Sequence, residues 1–95
     1  MAADIKNAGL SKDSVKGVVS RTIKSRIAEI NQKLIDLYNS MKYFEKKYGM
    51  KTEDFHKKFL TGSLGDDMDL FEWKASCEMY KELQEEKTAL FEAIG

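Results

Sequence analysis

The chain contains no proline, one cysteine, one histidine and one tryptophan, and each scarcity closes off a class of structure. With no proline, many Lys and Glu residues and few β-branched residues after Ile35, the composition favours helix over sheet almost everywhere, and an all-α chain is expected. A lone Cys77 excludes an intramolecular disulfide, and His56 without a second Cys leaves no usual zinc ligand set. No apolar run approaches the roughly 20 residues of a membrane span, and the N-terminus lacks the apolar core of a signal peptide, so a cytoplasmic protein is the default expectation. At 95 residues the chain suits one domain with a modest core and is too short for two independent ones, which leaves no room for a separate catalytic domain.

What the chain does have is a row of apolar residues at alternating steps of four and three: Ile23, Ile27, Ile30, Leu34, Leu37, Met41, Phe44 and Tyr48. The positions between are mostly Lys, Arg, Glu, Asn, Gln and Ser. This is the a/d pattern of a long helix that buries one narrow stripe. Val15, Val18 and Val19 extend the apolar face towards the N-terminus, where Ser11 or Asp13 can cap the helix start. A helix from Ser14 to Tyr48 is roughly 50 Å long at 1.5 Å per residue, longer than the usual diameter of so small a domain, so it must protrude or find a partner. Residues 1–10 read as a loose arm.

Gly49 follows Lys46, Lys47 and Tyr48 at the position of a left-handed helix cap, and the lysines suit the negative end of the helix. A short helix over residues 52–61 is expected next, capped by Thr52, acidic at Glu53 and Asp54, apolar at Phe55, Phe59 and Leu60, and closed by Gly62. The connector Gly62-Ser63-Leu64-Gly65 leads into a third helix over residues 67–94, with Asp69 and Glu72 spaced as a capping box. Its first half is apolar over a broad arc: Leu70, Phe71, Trp73, Ala75, Cys77, Met79, Tyr80 and Leu83. Two neighbours are implied, the long helix on one side and the short helix on the other. Phe44, Tyr48, Phe55, Phe59, Phe71 and Trp73 are expected at the centre of the core. Beyond Leu83 the stripe narrows to Leu90, Phe91 and Ile94, which fits either an antiparallel hairpin against Leu34, Ile30 and Ile27 or pairing with another chain.

No stretch carries an enzyme signature. The cluster Asp66, Asp67, Asp69 and Glu72 lacks the odd-position spacing and closing Glu of a calcium loop, and no nucleophile or histidine accompanies it, so helix capping is the expected role. His56 falls on the polar side of the short helix, and Cys77 lies inside an apolar arc as a buried small hydrophobe. Tyr38, Tyr43 and Tyr80 suit either interface or half-buried positions. The run Ala8-Gly9-Leu10-Ser11-Lys12-Asp13-Ser14-Val15 looks like the turn and recognition helix of a helix-turn-helix, in which Lys12, Lys16, Arg21, Lys24 and Arg26 would approach phosphates. Only about ten residues precede that turn, too few for a full first helix. Formal charge is zero, yet basic residues outnumber acidic ones through Thr61, and the acidic ones dominate from Gly62 onward.

The stretch Tyr43 to Met50, then Thr52 to Phe55, Phe59, Gly62, Leu64 to Asp67, Asp69 and Glu72-Trp73, resembles a set of small helical antitoxin-type proteins of archaea and bacteria. They share a Tyr-Gly-Met helix end, a Phe-rich short helix, a Gly-x-Leu-Gly-Asp connector and a Glu-Trp pair. The resemblance covers Tyr43 to Leu83 and implies a non-enzymatic protein, often encoded beside a small toxin, with no catalytic residue and no cofactor. It further implies tight backbone at the glycines, Leu64 tucked against the aromatic cluster, and Glu72-Trp73 at the top of the third helix. The region before Ile23 matches no DNA-binding half of such a protein.

The sequence therefore leads to an all-α, oligomeric chain with a long heptad-patterned helix, a short middle helix and a long C-terminal helix forming an antiparallel hairpin. The expected activity is binding of a protein partner, in the manner of an antitoxin neutralising a toxin from an adjacent gene. Glu78, Glu82, Glu85 and Glu86 are the expected partner-facing charges, and Tyr80 and Phe91 the expected apolar anchors. The alternative is a small nucleic-acid-binding regulator using the basic N-terminal helix.

Overall fold

A computed structural model describes residues 12–94. The expected loose arm, the Ser11 cap and the turn at Ala8 to Ser11 lie outside the described residues. Three helices follow in order: α1, Lys12–Tyr48; α2, Thr52–Leu60; and α3, Met68–Ile94. Among the described residues there is no strand.

The stop of α1 is a matter of backbone chemistry. Gly49 sits at φ 66°, a left-handed conformation that costs an L side chain, and the amide of Met50 turns back to the carbonyl of Glu45 at 3.2 Å, so a carbonyl that the helix leaves open is satisfied. The same device ends α2. With Gly62 at φ 71°, its amide reaches the Phe59 carbonyl at 3.1 Å and the Ser63 amide the Lys58 carbonyl at 3.3 Å, the paired bonds of a Schellman motif.

Both helix starts differ from expectation. Thr52 is not the cap of α2; Lys51 holds that position in extended backbone and its side chain makes no capping bond. Thr52 is already helical, its amide is taken by Glu45 Oε2 at 2.8 Å, and its hydroxyl accepts the indole N–H of Trp73 at 3.2 Å. At α3 the Asp69 and Glu72 capping box does not form. Asp67 caps the helix, its Oδ1 accepting the Asp69 amide at 3.1 Å, while Asp69 lies one residue inside the helix and pairs with Lys47 and with the Tyr48 hydroxyl at 3.1 Å. In each case a polar side chain was drawn away from its local capping role by a partner on another element.

The two long helices run antiparallel. Lys47 meets Asp69 near the connector, Met41 meets Cys77 with their sulfurs 3.6 Å apart, and Arg26 meets Glu86 at 2.7 Å further along. Val19 and Ile23 share a surface hollow with Ala93 and Ile94. The result is elongated, 64 × 21 × 20 Å. All eight residues of the α1 row from Ile23 to Tyr48 are buried or half-buried, with Ile27, Ile30, Leu34 and Phe44 fully so.

Burial is densest near the connector, where Phe44, Phe55, Leu70, Trp73 and Cys77 form one cluster, with Met41, Tyr48, Met50, Phe59 and Leu64 packed against it. The Trp73 ring is completely buried. Phe55 stacks on it with centroids 3.9 Å apart, and Phe44 and Tyr48 stack at 5.8 and 6.0 Å. Four residues of the expected apolar faces of α2 and α3, Leu60, Phe71, Ala75 and Met79, lie outside the core. Phe71 and Met79 are each 50% exposed and Leu60 is 79% exposed. Phe71 precedes Trp73 by two residues, about 200° around the helix, so one neighbour cannot cover both; Leu60 stands one 100° step beyond Phe59.

Candidate partner-binding surface

The acidic residues expected to face a partner divide by position on α3. Glu82 and Glu85 are exposed and make no ion pair with any described residue. Glu78, one turn after Lys74, pairs with it at 3.1 Å, an i,i+4 contact that keeps its carboxylate at the surface. Glu86 differs, because it lies over the seam between the long helices and accepts two bonds from the Arg26 guanidinium, at 2.7 and 3.0 Å. That pairing holds the Glu86 carboxyl below the usual carboxylate range and raises the guanidinium further. A bidentate pair of this kind fixes register between the two helices. Of the apolar anchors, Tyr80 is half-buried on the stripe shared with Trp73 and Cys77, and Phe91 is 52% exposed.

On the basic side, Lys12, Lys16, Arg21 and Lys24 are exposed on the first turns of α1, whereas Arg26 is half-buried and engaged by Glu86 and Glu29. The structure thus places four of the five proposed phosphate contacts at one end of the molecule and commits the fifth to the hairpin.

The acidic cluster at the connector is dispersed by its own bonding. Asp67 is a cap and Asp69 is held below its ordinary pKa, chiefly by Lys47. Among the described residues no three His, Cys, Asp or Glu side chains converge as a metal-holding group. His56, expected on the polar side of α2, is half-buried, with its ring centroid 5.8 Å from that of Phe55; burial lowers its pKa, and nearby Lys74 adds to the effect. Burial likewise pushes the Cys77 thiol up, away from the thiolate that a nucleophile requires. Among the described residues no helix is long and apolar enough to cross a membrane.

Two features were not foreseen from sequence. One is the tie between Glu45 and the start of α2: its carboxylate, lowered chiefly by the Thr52 amide, also accepts from Lys42 at 3.0 Å. Seven residues separate Glu45 from Thr52, and no local spacing rule signals such a bond. The other is the outward side of α3, where Met68, Phe71, Ala75 and Met79 are all exposed. Phe71, Ala75 and Met79 belong to the broad arc for which the sequence implies covering neighbours, whereas Met68 falls in the acidic helix start, so the sequence does not show the four as one row. Comparison of the chain with protein-family models, with curated proteins and with solved structures finds no match.

Proposed function

We propose that the chain is a non-enzymatic helical protein that assembles with itself and binds a protein partner, in the manner of an antitoxin that covers a toxin. The observation that carries this reading is the exposed α3 surface, where Glu82 and Glu85 make no ion pair with any described residue and stand next to apolar side chains left uncovered by the hairpin. Acidic charge on such a surface complements a basic nucleic-acid-handling site on a toxin, and uncovered rings and thioethers provide the apolar centre that an interface needs. The α1 row is taken up by the hairpin itself, and it is the apolar residues Ile35 and Tyr38 beside it, both exposed, that support self-association.

Co-expression with the product of the adjacent gene tests the reading. Rescue of growth together with co-purification supports it, and failure of both removes it. The charge reversals belong at Glu82 and Glu85, since reversing Glu86 would also break the contact with Arg26.

A second reading, a regulator that binds nucleic acid, draws on the four exposed cations Lys12, Lys16, Arg21 and Lys24. Duplex DNA binding with a steep salt dependence would favour it. A complex with a protein that survives salt would favour the first reading.

A further inference from the structure

The reading of the chain as a protein-binding module leaves open where the partner sits and what it presents, and α3 contains the material for an answer. At 100° per residue, Met68, Phe71, Ala75 and Met79 fall within an arc of about 80° on the side turned away from Trp73, and the row is about 16 Å long, three helical turns. Met68 is 80% exposed, and Phe71 and Met79 are half exposed. Phe71 is not a loose ring: it meets Phe59 of α2 edge-on, with centroids 5.7 Å apart and planes at 90°, so α2 holds it in place and extends the apolar surface sideways. Carboxylates frame the row. Glu72 flanks it on one side and Glu82 closes its far end, both exposed, while Glu78 on the other side is exposed but paired with Lys74 at 3.1 Å.

We infer that this row is the seat of an amphipathic helix of another protein, about three turns long, whose apolar ridge is flanked by Lys or Arg. The length of the row fits one ridge of a helix laid along α3. The rim sets the sign of the partner's flanks, because an acidic flank would face Glu72, Glu82 and Glu85, which make no ion pair with any described residue, and only Glu78 is offset by a lysine. Thioethers at Met68 and Met79 adapt their shape to the ridge they meet, which suits recognition by composition and pattern rather than by one fixed contour.

The test uses the full chain labelled at its methionine methyl groups and two synthetic three-turn peptides with identical leucine ridges, one flanked by lysines and one by glutamates. The lysine peptide should shift the methyls of Met68 and Met79 while leaving that of Met41, inside the hairpin, in place. Ala75→Lys and Met79→Lys, at exposed positions that leave the core untouched, should each weaken binding at least tenfold, and the glutamate peptide should not bind. Equal binding by both peptides, shifts confined to other surfaces, or indifference to both substitutions would overturn the assignment. So would concentration-dependent shifts of the same methyls in the free chain accompanied by doubling of its mass, since a second copy would then occupy the row. A chain that co-purifies with its neighbour yet ignores the lysine peptide refutes this seat alone. A chain that binds the peptide at the row but neither rescues nor co-purifies refutes the antitoxin reading and leaves the seat standing.

Discussion

Trp73 joins all three helices through one side chain. Its ring lies between Phe55 of α2 and the Phe44 and Tyr48 rings of α1, and its indole N–H is satisfied by Thr52. Trp73→Ala should therefore cost about 3–5 kcal/mol in denaturant unfolding. Thr52→Val, which keeps the shape but leaves a buried donor without its acceptor, should cost about 1–3 kcal/mol. The glycine at the end of α1 is a different case. A Cβ at Gly49 would meet no atom within 4 Å, yet φ is +66°, so Gly49→Ala should cost about 1–2 kcal/mol from backbone strain alone. A neutral outcome for Gly49→Ala would mean that the chain leaves α1 by some other turn.

Among the elements, α2 is the one held by the fewest groups: the Phe55 and Phe59 rings, the Glu45 carboxylate and the Thr52 hydroxyl. Glu45→Ala should cost about 1 kcal/mol as a lost cap and speed amide exchange at Thr52 more than at Trp73. Acid should act in two stages. His56, Glu45, Asp69 and Glu86 all have folded pKa values below their ordinary ones, so in each case the unfolded chain takes up the proton first and stability falls as pH falls. For His56 the loss begins near the free imidazole value of about 6.5, and for the carboxylates near about 4. The melting temperature should hold steady from pH 8 to 7, decline gently below about 6.5 and steeply below about 4.5. His56→Gln should remove the first decline and leave the second.

The elements also mark where the sequence could be read and where it could not. The inward row of α1 was legible because its apolar residues keep one period among polar neighbours, and Gly49 and Gly62 were legible because few other residues take up a positive φ at a helix end. The start of α3 was less so. Leu70, Phe71, Trp73, Ala75, Cys77 and Met79 surround that helix with apolar side chains, and periodicity cannot say which side meets a neighbour when every side qualifies. Nor could Thr52 and Asp69 be placed, since their partners Trp73 and Lys47 lie more than twenty residues away.

At the scale of the whole molecule, cohesion is uneven along the 64 Å axis. The aromatic cluster anchors the connector end, whereas on α3 no residue after Cys77 is fully buried. Amide exchange should consequently be slowest around Phe44 and Trp73 and should quicken towards Lys12 and Ile94 in the isolated chain. Self-association along the far half would flatten this gradient, and light scattering at micromolar concentration should give at least twice the chain mass. A strict monomer would dispose of the oligomer while leaving the hairpin intact. Calorimetry of the chain with the adjacent gene's product, as wild type and as the Glu72→Lys, Glu82→Lys, Glu85→Lys variant, asks whether the outward side of α3 holds the partner. The wild-type chain should form a complex that this variant weakens at least tenfold while its helical content stays unchanged. An affinity untouched by the three reversals, or the absence of any complex with the wild-type chain, would place the partner elsewhere or remove it altogether.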